Sequence, residues 1–151
     1  MFGKKVLITA GPTFEYIDPV RYIGNFSSGK MGFALANIAA ELGAEVYLVT
    51  GPSALTIKSD QIKKIDIISA DEMFKISSDL FKKCDIAILS AAVSDFKPKK
   101  VNRKKIKKEN FKNLSIELVP NIDILKTLGS QKTNQILVGF ALETENGLEN
   151  A

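Results

Sequence analysis

The stretch Gly24-Asn25-Phe26-Ser27-Ser28-Gly29-Lys30-Met31 is where this chain is best equipped for chemistry. It lies where a polar loop turns into a helix, so unpaired backbone N–H groups and the helix dipole can hold a phosphate there. Ser27 and Ser28 add hydroxyl donors, and Gly29 lets an anion approach the backbone closely. The spacing nearly matches the phosphate loop GxxxxGK[ST], but Met31 stands where that motif needs a magnesium-binding hydroxyl. The preceding strand also ends far upstream, at Ala10, too distant for a phosphate loop. A plain helix start capped by serines fits the same residues.

Three other clusters bear chemistry. Ala91-Ala92-Val93-Ser94-Asp95-Phe96 follows a strand directly. Small residues at a strand end leave room for a base or ribose, and Asp95 can meet a metal-bound polyphosphate or a ribose. A tight strand-exit turn with a solvated aspartate is the other reading. Between Lys97 and Lys112 nine Lys/Arg stand against the single acid Glu109, giving +8 there and −4 elsewhere. Lys104-Lys105-Ile106-Lys107-Lys108 within it fits a solvated edge, a flap for polyphosphate, or an arm for nucleic acid. Few aromatics interleave the lysines, which weakens the nucleic-acid reading. Pro120-Asn121-Ile122-Asp123-Ile124-Leu125 opens a short helix, with Asn121 as its expected N-cap.

Several chemistries are excluded. No histidine is present, so imidazole general bases, triads and histidine zinc sites are ruled out. One cysteine, Cys84, permits neither an internal disulfide nor a multi-thiolate metal site, and its place at a helix end suits packing. Dinucleotide binding lacks both its marks: Gly11-Pro12-Thr13-Phe14-Glu15 is not GxGxxG, and Val49-Thr50-Gly51 brings no acid for a ribose. No apolar run nears the roughly 20 residues of a membrane span, and none resembles a signal peptide. A reducing, cytoplasmic setting is expected.

These clusters need a frame. The 151 residues suit one domain with one core. Strands are expected at Lys5–Ala10, Glu45–Thr50, about Ile65–Ile68, Ile86–Ala91 and Gln135–Ala141. Helices are expected over Met31–Leu42, closed by Gly43, and Ala70–Lys83, whose acidic first turn and basic end suit the dipole. Gly11–Gly29 reads as a long polar loop. The alternation predicts an α/β, three-layer Rossmann-like domain with a mostly parallel sheet and a projecting basic flap at about 97–112. Ligands in such folds sit beyond the strand ends, so the loops at Gly11, Gly51, Ala92 and Ala141 are the places to look. Gly147 to Ala151 reads as the start of a further helix, and the chain as a fragment of a longer one or a naturally short form.

Taken together, Gly11-Pro12-Thr13, Asp18-Pro19-Val20-Arg21-Tyr22-Ile23, Asn25-Phe26-Ser27-Ser28-Gly29-Lys30-Met31-Gly32, Ala91-Ala92-Val93-Ser94-Asp95-Phe96, Lys105-Ile106-Lys107-Lys108 and Val138-Gly139-Phe140-Ala141-Leu142-Glu143-Thr144 run in the order of the bacterial phosphopantothenoylcysteine synthetases. The resemblance covers nearly the whole chain. It implies that 4′-phosphopantothenate attacks the α-phosphate of CTP to give an acyl-cytidylate, which the cysteine amine then opens. It implies Asn25 and Lys105 as catalytic residues, with Arg21 and Asn25 on the substrate. Nucleotide contacts are implied at Gly11, Ser27, Ser28, Gly29, Ser90, Ala91, Ala92, Asp95, Lys105, Ile122, Asp123, Ile124, Leu125 and Phe140. Magnesium accompanies CTP in that family, with ligands the sequence does not identify. A homodimer is implied, as is fusion to a flavin-dependent decarboxylase whose FMN has no place here. Neither nucleic acid nor membrane is an expected partner. The family continues past the last strand, so reduced turnover is expected of this chain.

Overall fold

The computed structural model of the chain describes residues 1–110 and 113–142. In order these form β1 (Lys5–Ala10), β2 (Glu15–Tyr16), β3 (Tyr22–Ile23), α1 (Lys30–Glu41), β4 (Glu45–Thr50), β5 (Ile62–Asp66), α2 (Ala70–Phe81), β6 (Ile86–Leu89), β7 (Phe96–Pro98), β8 (Leu118–Pro120), α3 (Ile124–Gln131) and β9 (Ile136–Gly139). Five strands make one parallel sheet in the order β5-β4-β1-β6-β9. Successive residues of a strand face opposite sides. Val6, Ile8 and Ala10 therefore meet Phe33, Ala36, Ala39 and Ala40 of α1. Leu7 meets Met73 and Phe81 of α2 and Leu128 of α3 on the other side. Covering both faces explains why the central strands read as continuous apolar runs. Met73, Phe81 and Leu128 are fully buried, each contributing about 1.5–3 kcal/mol.

Local chemistry sets the boundaries. Ser69 caps α2 by accepting from the Glu72 N–H at 3.3 Å, while the Glu72 carboxylate accepts from the Ser69 N–H at 3.5 Å and the Ile68 N–H at 2.7 Å. This is a capping box. The third strand lies at Ile62–Asp66, not Ile65–Ile68, because β4 ends at Thr50 opposite Asp66 and its last contact is the Thr50 carbonyl accepting from the Ile67 N–H at 2.9 Å. Ile67 still buries in the core just beyond it. The cap of α3 is Asp123, whose carboxylate accepts from the Lys126 N–H at 2.8 Å; Asn121 is occupied elsewhere. The loop Gly11–Gly29 holds the antiparallel pair β2–β3, and the flap rises from the antiparallel ribbon β7–β8. Strands of two or three residues leave no periodicity to read.

After β1 the chain runs outward to β4 and β5, then returns to the other side of β1 for β6 and β9. The direction thus reverses between β1 and β6. Open parallel sheets bind ligands in the crevice at such a point. Here a parallel bridge between Pro12 and Ala92 carries the β1–β6 ladder beyond the strands and floors that crevice.

Candidate active site

Backbone lines the crevice because glycines converge on it. Gly29, the residue before α1, has φ 78°, and a Cβ there would stand 3.2 Å from the Gly11 nitrogen. A Cβ on Gly51 would strike the Pro12 carbonyl oxygen at 1.6 Å. The start of α1, the exit of β1 and the exit of β4 therefore touch through main chain. Ser27 and Ser28 take the helix-start part of the sequence expectation, and each O–H is still a donor. Their hydroxyl oxygens accept from the Gly29 N–H at 3.2 Å and the Lys30 N–H at 3.5 Å, so they brace the turn. The next two amides, Met31 and Gly32, have no acceptor among the described residues. These N–H groups at the positive end of α1 are the ones an anion can use.

The opposite wall is the segment after β6. Ser90 donates its hydroxyl to the Thr9 carbonyl at 2.7 Å, the Ala91 N–H reaches Thr9 Oγ1 at 3.3 Å, and the Ala92 N–H reaches the Gly11 carbonyl at 2.9 Å. Thr13 is fully buried, and its Oγ1 accepts from the Ser94 N–H at 3.0 Å. Asn25 crosses the crevice: its Nδ2 donates to the Val93 carbonyl at 2.9 Å. Asn121 ties α3's approach to the same wall, donating from Nδ2 to the Ser94 carbonyl at 2.8 Å and from its N–H to the Asp95 carbonyl at 2.7 Å. Asp95 itself stays exposed.

The flap meets this frame through Asp18. Its buried carboxylate accepts from the Val20 and Arg21 N–H groups at 2.9 and 3.0 Å, from Arg21 Nε at 3.1 Å and Nη2 at 2.5 Å, and from the Ile106 N–H at 3.1 Å. Arg21 Nη2 also donates to the Ile106 carbonyl at 2.7 Å. Burial pushes the Asp18 carboxyl upward, but hydrogen bonds from Ile106, Arg21 and Val20 outweigh it and hold the group far below the usual carboxylate range. Lys105, next to the pinned residue, points its side chain to solvent with no partner among the described residues. Two open concavities of about 530 and 660 Å³ lie at the flap, one beside Ile17 and Asn102 and the other beside Arg21 and Lys105. Neither reaches the switch point.

The whole chain, residues 1–151, matches the family described as DNA/pantothenate metabolism flavoprotein C-terminal domain. The chain belongs to this family. It is 48% identical over 144 residues to the coenzyme A biosynthesis bifunctional protein CoaBC of Bacillus subtilis (strain 168), covering 95% of this chain and 35% of that protein. It is 53% identical over 150 residues to a cysteine/cysteine sulfinic acid decarboxylase from an unidentified prokaryote, covering 99% of this chain and 42% of that one. The crystal structure of the C-terminal domain of CoaBC superposes with a TM-score of 0.87 at 46% identity, over 100% of this chain and 70% of that chain. The chain thus spans less than half the length of these two curated relatives.

Set in the frame of this flavoprotein C-terminal domain, the residues named from sequence fall into three groups. Gly11, Ser27, Ser28, Gly29, Asn25, Ser90, Ala91, Ala92 and Asp95 come together around the crevice between β1, β6 and α1. Ile122 and Ile124 turn into the core, Asp123 is spent as a helix cap, and Leu125 is half-exposed against Gly139. Arg21 and Lys105 stand at the base of the flap, and exposed Phe140 follows β9. No three His, Cys, Asp or Glu side chains converge among the described residues. Cys84 is buried, and desolvation pushes its thiol up to about 11, so it is a packing residue. Sequence reading missed the hub function of Asp18 and Thr13. The tetrapeptide Asp18-Pro19-Val20-Arg21 does carry a turn signal, since Asp accepts from N–H groups two residues on. Lys112 and the segment from Glu143, including the expected helix start at Gly147, lie outside the described residues.

Proposed function

We propose that this chain is the core of a ligase domain that joins 4′-phosphopantothenate to cysteine using CTP. The pantothenate carboxylate oxygen attacks the α-phosphorus, the Pα–O bond to the β-phosphate breaks, and pyrophosphate leaves. The cysteine amine then attacks the acyl carbon of the resulting acyl-cytidylate, the acyl C–O bond breaks, the nitrogen loses a proton, and CMP leaves. Membership of the flavoprotein C-terminal domain family, with close likeness to CoaBC, is the observation that carries this reading.

The local physics supports the same chemistry. Met31 and Gly32 present amides at the positive end of α1, suited to the charge that develops on a transferring phosphoryl group. Asn25, held on Val93 at the mouth of the crevice, is assigned to the acyl-cytidylate. Lys105 and Arg21 are assigned to the anions of CTP and phosphopantothenate; Arg21 keeps Nη1 for that purpose, since Nε and Nη2 are engaged. Magnesium fits a site with one exposed carboxylate, Asp95, because it is commonly held by phosphates, waters and one or two carboxylates. When bound it neutralises phosphate charge. The same reading assigns flavin and decarboxylase chemistry to other parts of the bifunctional relatives, and a homodimer in the cytoplasm to the working enzyme.

Titration calorimetry with CTP, ATP and a single-stranded RNA, followed by assays for pyrophosphate and CMP, tests the proposal. Magnesium-dependent preference for CTP, with pyrophosphate release requiring phosphopantothenate and CMP release requiring cysteine, is expected. Preference for ATP, or salt-sensitive RNA binding without affinity for nucleotide, would overturn it.

A further inference from the structure

Ile106 has both of its backbone polar groups held by side chains of another segment. Its N–H goes to Asp18 Oδ2 at 3.1 Å and its carbonyl to Arg21 Nη2 at 2.7 Å. Asp18 and Arg21 also bind each other through Nε and Nη2, so the three residues close a ring. The carboxylate is fully buried beneath the most cationic part of the chain, whereas Lys105 and Lys107 on either side of Ile106 are exposed. A charged acceptor with several N–H donors is far stronger than a neutral one, and the guanidinium fork fixes direction as well as distance. The flap is therefore not an arm free along its length. It is moored at the Ile106 peptide, immediately beside a lysine assigned to the nucleotide, and nearer its base at Asn102, whose N–H donates to the Ile17 carbonyl at 2.9 Å.

We propose that Asp18 is a positioning residue that sets the place of Lys105 by mooring Ile106. The idea rests on the ligase reading for its kinetic consequence but not for its structural one. Arg21 serves two ends: Nε and Nη2 complete the mooring, and Nη1, engaged in no hydrogen bond among the described residues, is left for substrate. Asp18 also holds Arg21, so Ile106→Pro, which spares that pair, is the variant that isolates the flap route.

The test compares the wild-type chain with Asp18→Asn, Ile106→Pro, Lys105→Ala and the double variant Ile106→Pro/Lys105→Ala. Ile106→Pro removes the donated N–H while leaving the Asp18–Arg21 pair in place, so it covers the case in which Asp18→Asn does not fold. Trypsin is expected to cut after Lys104 and Lys107 about tenfold faster in either mooring variant, since one charge-assisted hydrogen bond is of that order. Unchanged cleavage in a variant with wild-type Tm would overturn the proposal, whether or not the chain proves to be a ligase. Where CTP-dependent ligation is measurable, kcat is expected to fall about tenfold in Asp18→Asn and Ile106→Pro. No further fall is expected when Ile106→Pro is added to Lys105→Ala. Independent, multiplying losses would mean that the mooring acts by some route other than Lys105. Absence of any ligation by the wild type would count against the proposed function and leave the protease result to decide the mooring.

Discussion

Gly32 lies so close to Ala10 that a Cβ on the glycine would stand 2.5 Å from that of the alanine, with Ser90 Oγ at 2.8 Å and the Thr9 carbonyl at 3.1 Å. The first turn of α1 rests directly on the ends of β1 and β6. An exposed helical Gly→Ala change stabilises by about 1 kcal/mol. Here the sign reverses: Gly32→Ala is expected to cost about 1–3 kcal/mol through overpacking. Urea denaturation compares the midpoints, and triphosphate affinity should fall with them as the turn is lifted off the crevice.

Asp18 makes stability depend on pH in a definite direction. Its folded-state carboxyl ionises well below the unfolded value of about 3.9. The ionised form is thus favoured by folding, so the contribution is complete above the unfolded value. It is lost progressively as pH falls from there toward the depressed folded value. The stability difference between wild type and Asp18→Asn should be constant from pH 7 to about 5 and shrink below about 4. Denaturation curves across that range give the difference directly, and a gap that widened on acidification would contradict this assignment.

Asn25 donates its amide to the Val93 carbonyl at 2.9 Å and is otherwise exposed. Asn25→Asp replaces the donor with a carboxylate facing a carbonyl oxygen and the anion site proposed at the start of α1. Tm should move little, while ligation falls about 10²-fold, the cost of removing one preorganised donor. Rapid-quench measurement of acyl-cytidylate and product would show which half-reaction suffers.

Much of this frame was legible in the chain. β1 and β4 announce themselves by continuous apolar runs stopped by Gly11-Pro12 and Gly51-Pro52, and the helices by spacing and caps. The clustering of Asn25, Gly29 and Ala92 followed from the alternation of strands and helices, which places loops at one end of a parallel sheet. Ile62 escaped because lysines at 63 and 64 hide the strand, and Ile67-Ile68 drew attention to the point where the β4 ladder runs out. Asp18 escaped for a different reason. Its significance depends on Ile106, 88 residues away, and no local pattern carries such a pairing.

Cys84 provides a chemical check on the core. It packs with Phe81, Ala87 and Leu128 between the sheet and the α2–α3 layer, and desolvation pushes its thiol up to about 11. Thiol reagents act on the thiolate. Labelling at pH 8 should therefore be negligible in the native protein and rapid in denaturant, and Cys84→Ala should leave ligation intact. Fast native labelling would indicate that this layer opens.

The ring of Asp18, Arg21 and Ile106 also bears on how this domain can be rebuilt. The loop that leads into the Ser27–Gly29 turn is the same loop that berths the cationic arm. Transplanting residues 97–112 alone into a related scaffold would deliver an arm with no dock. Moving residues 11–29 without the arm would leave a buried carboxylate short of one of its donors. Swaps between homologues should succeed only when both segments travel as a unit.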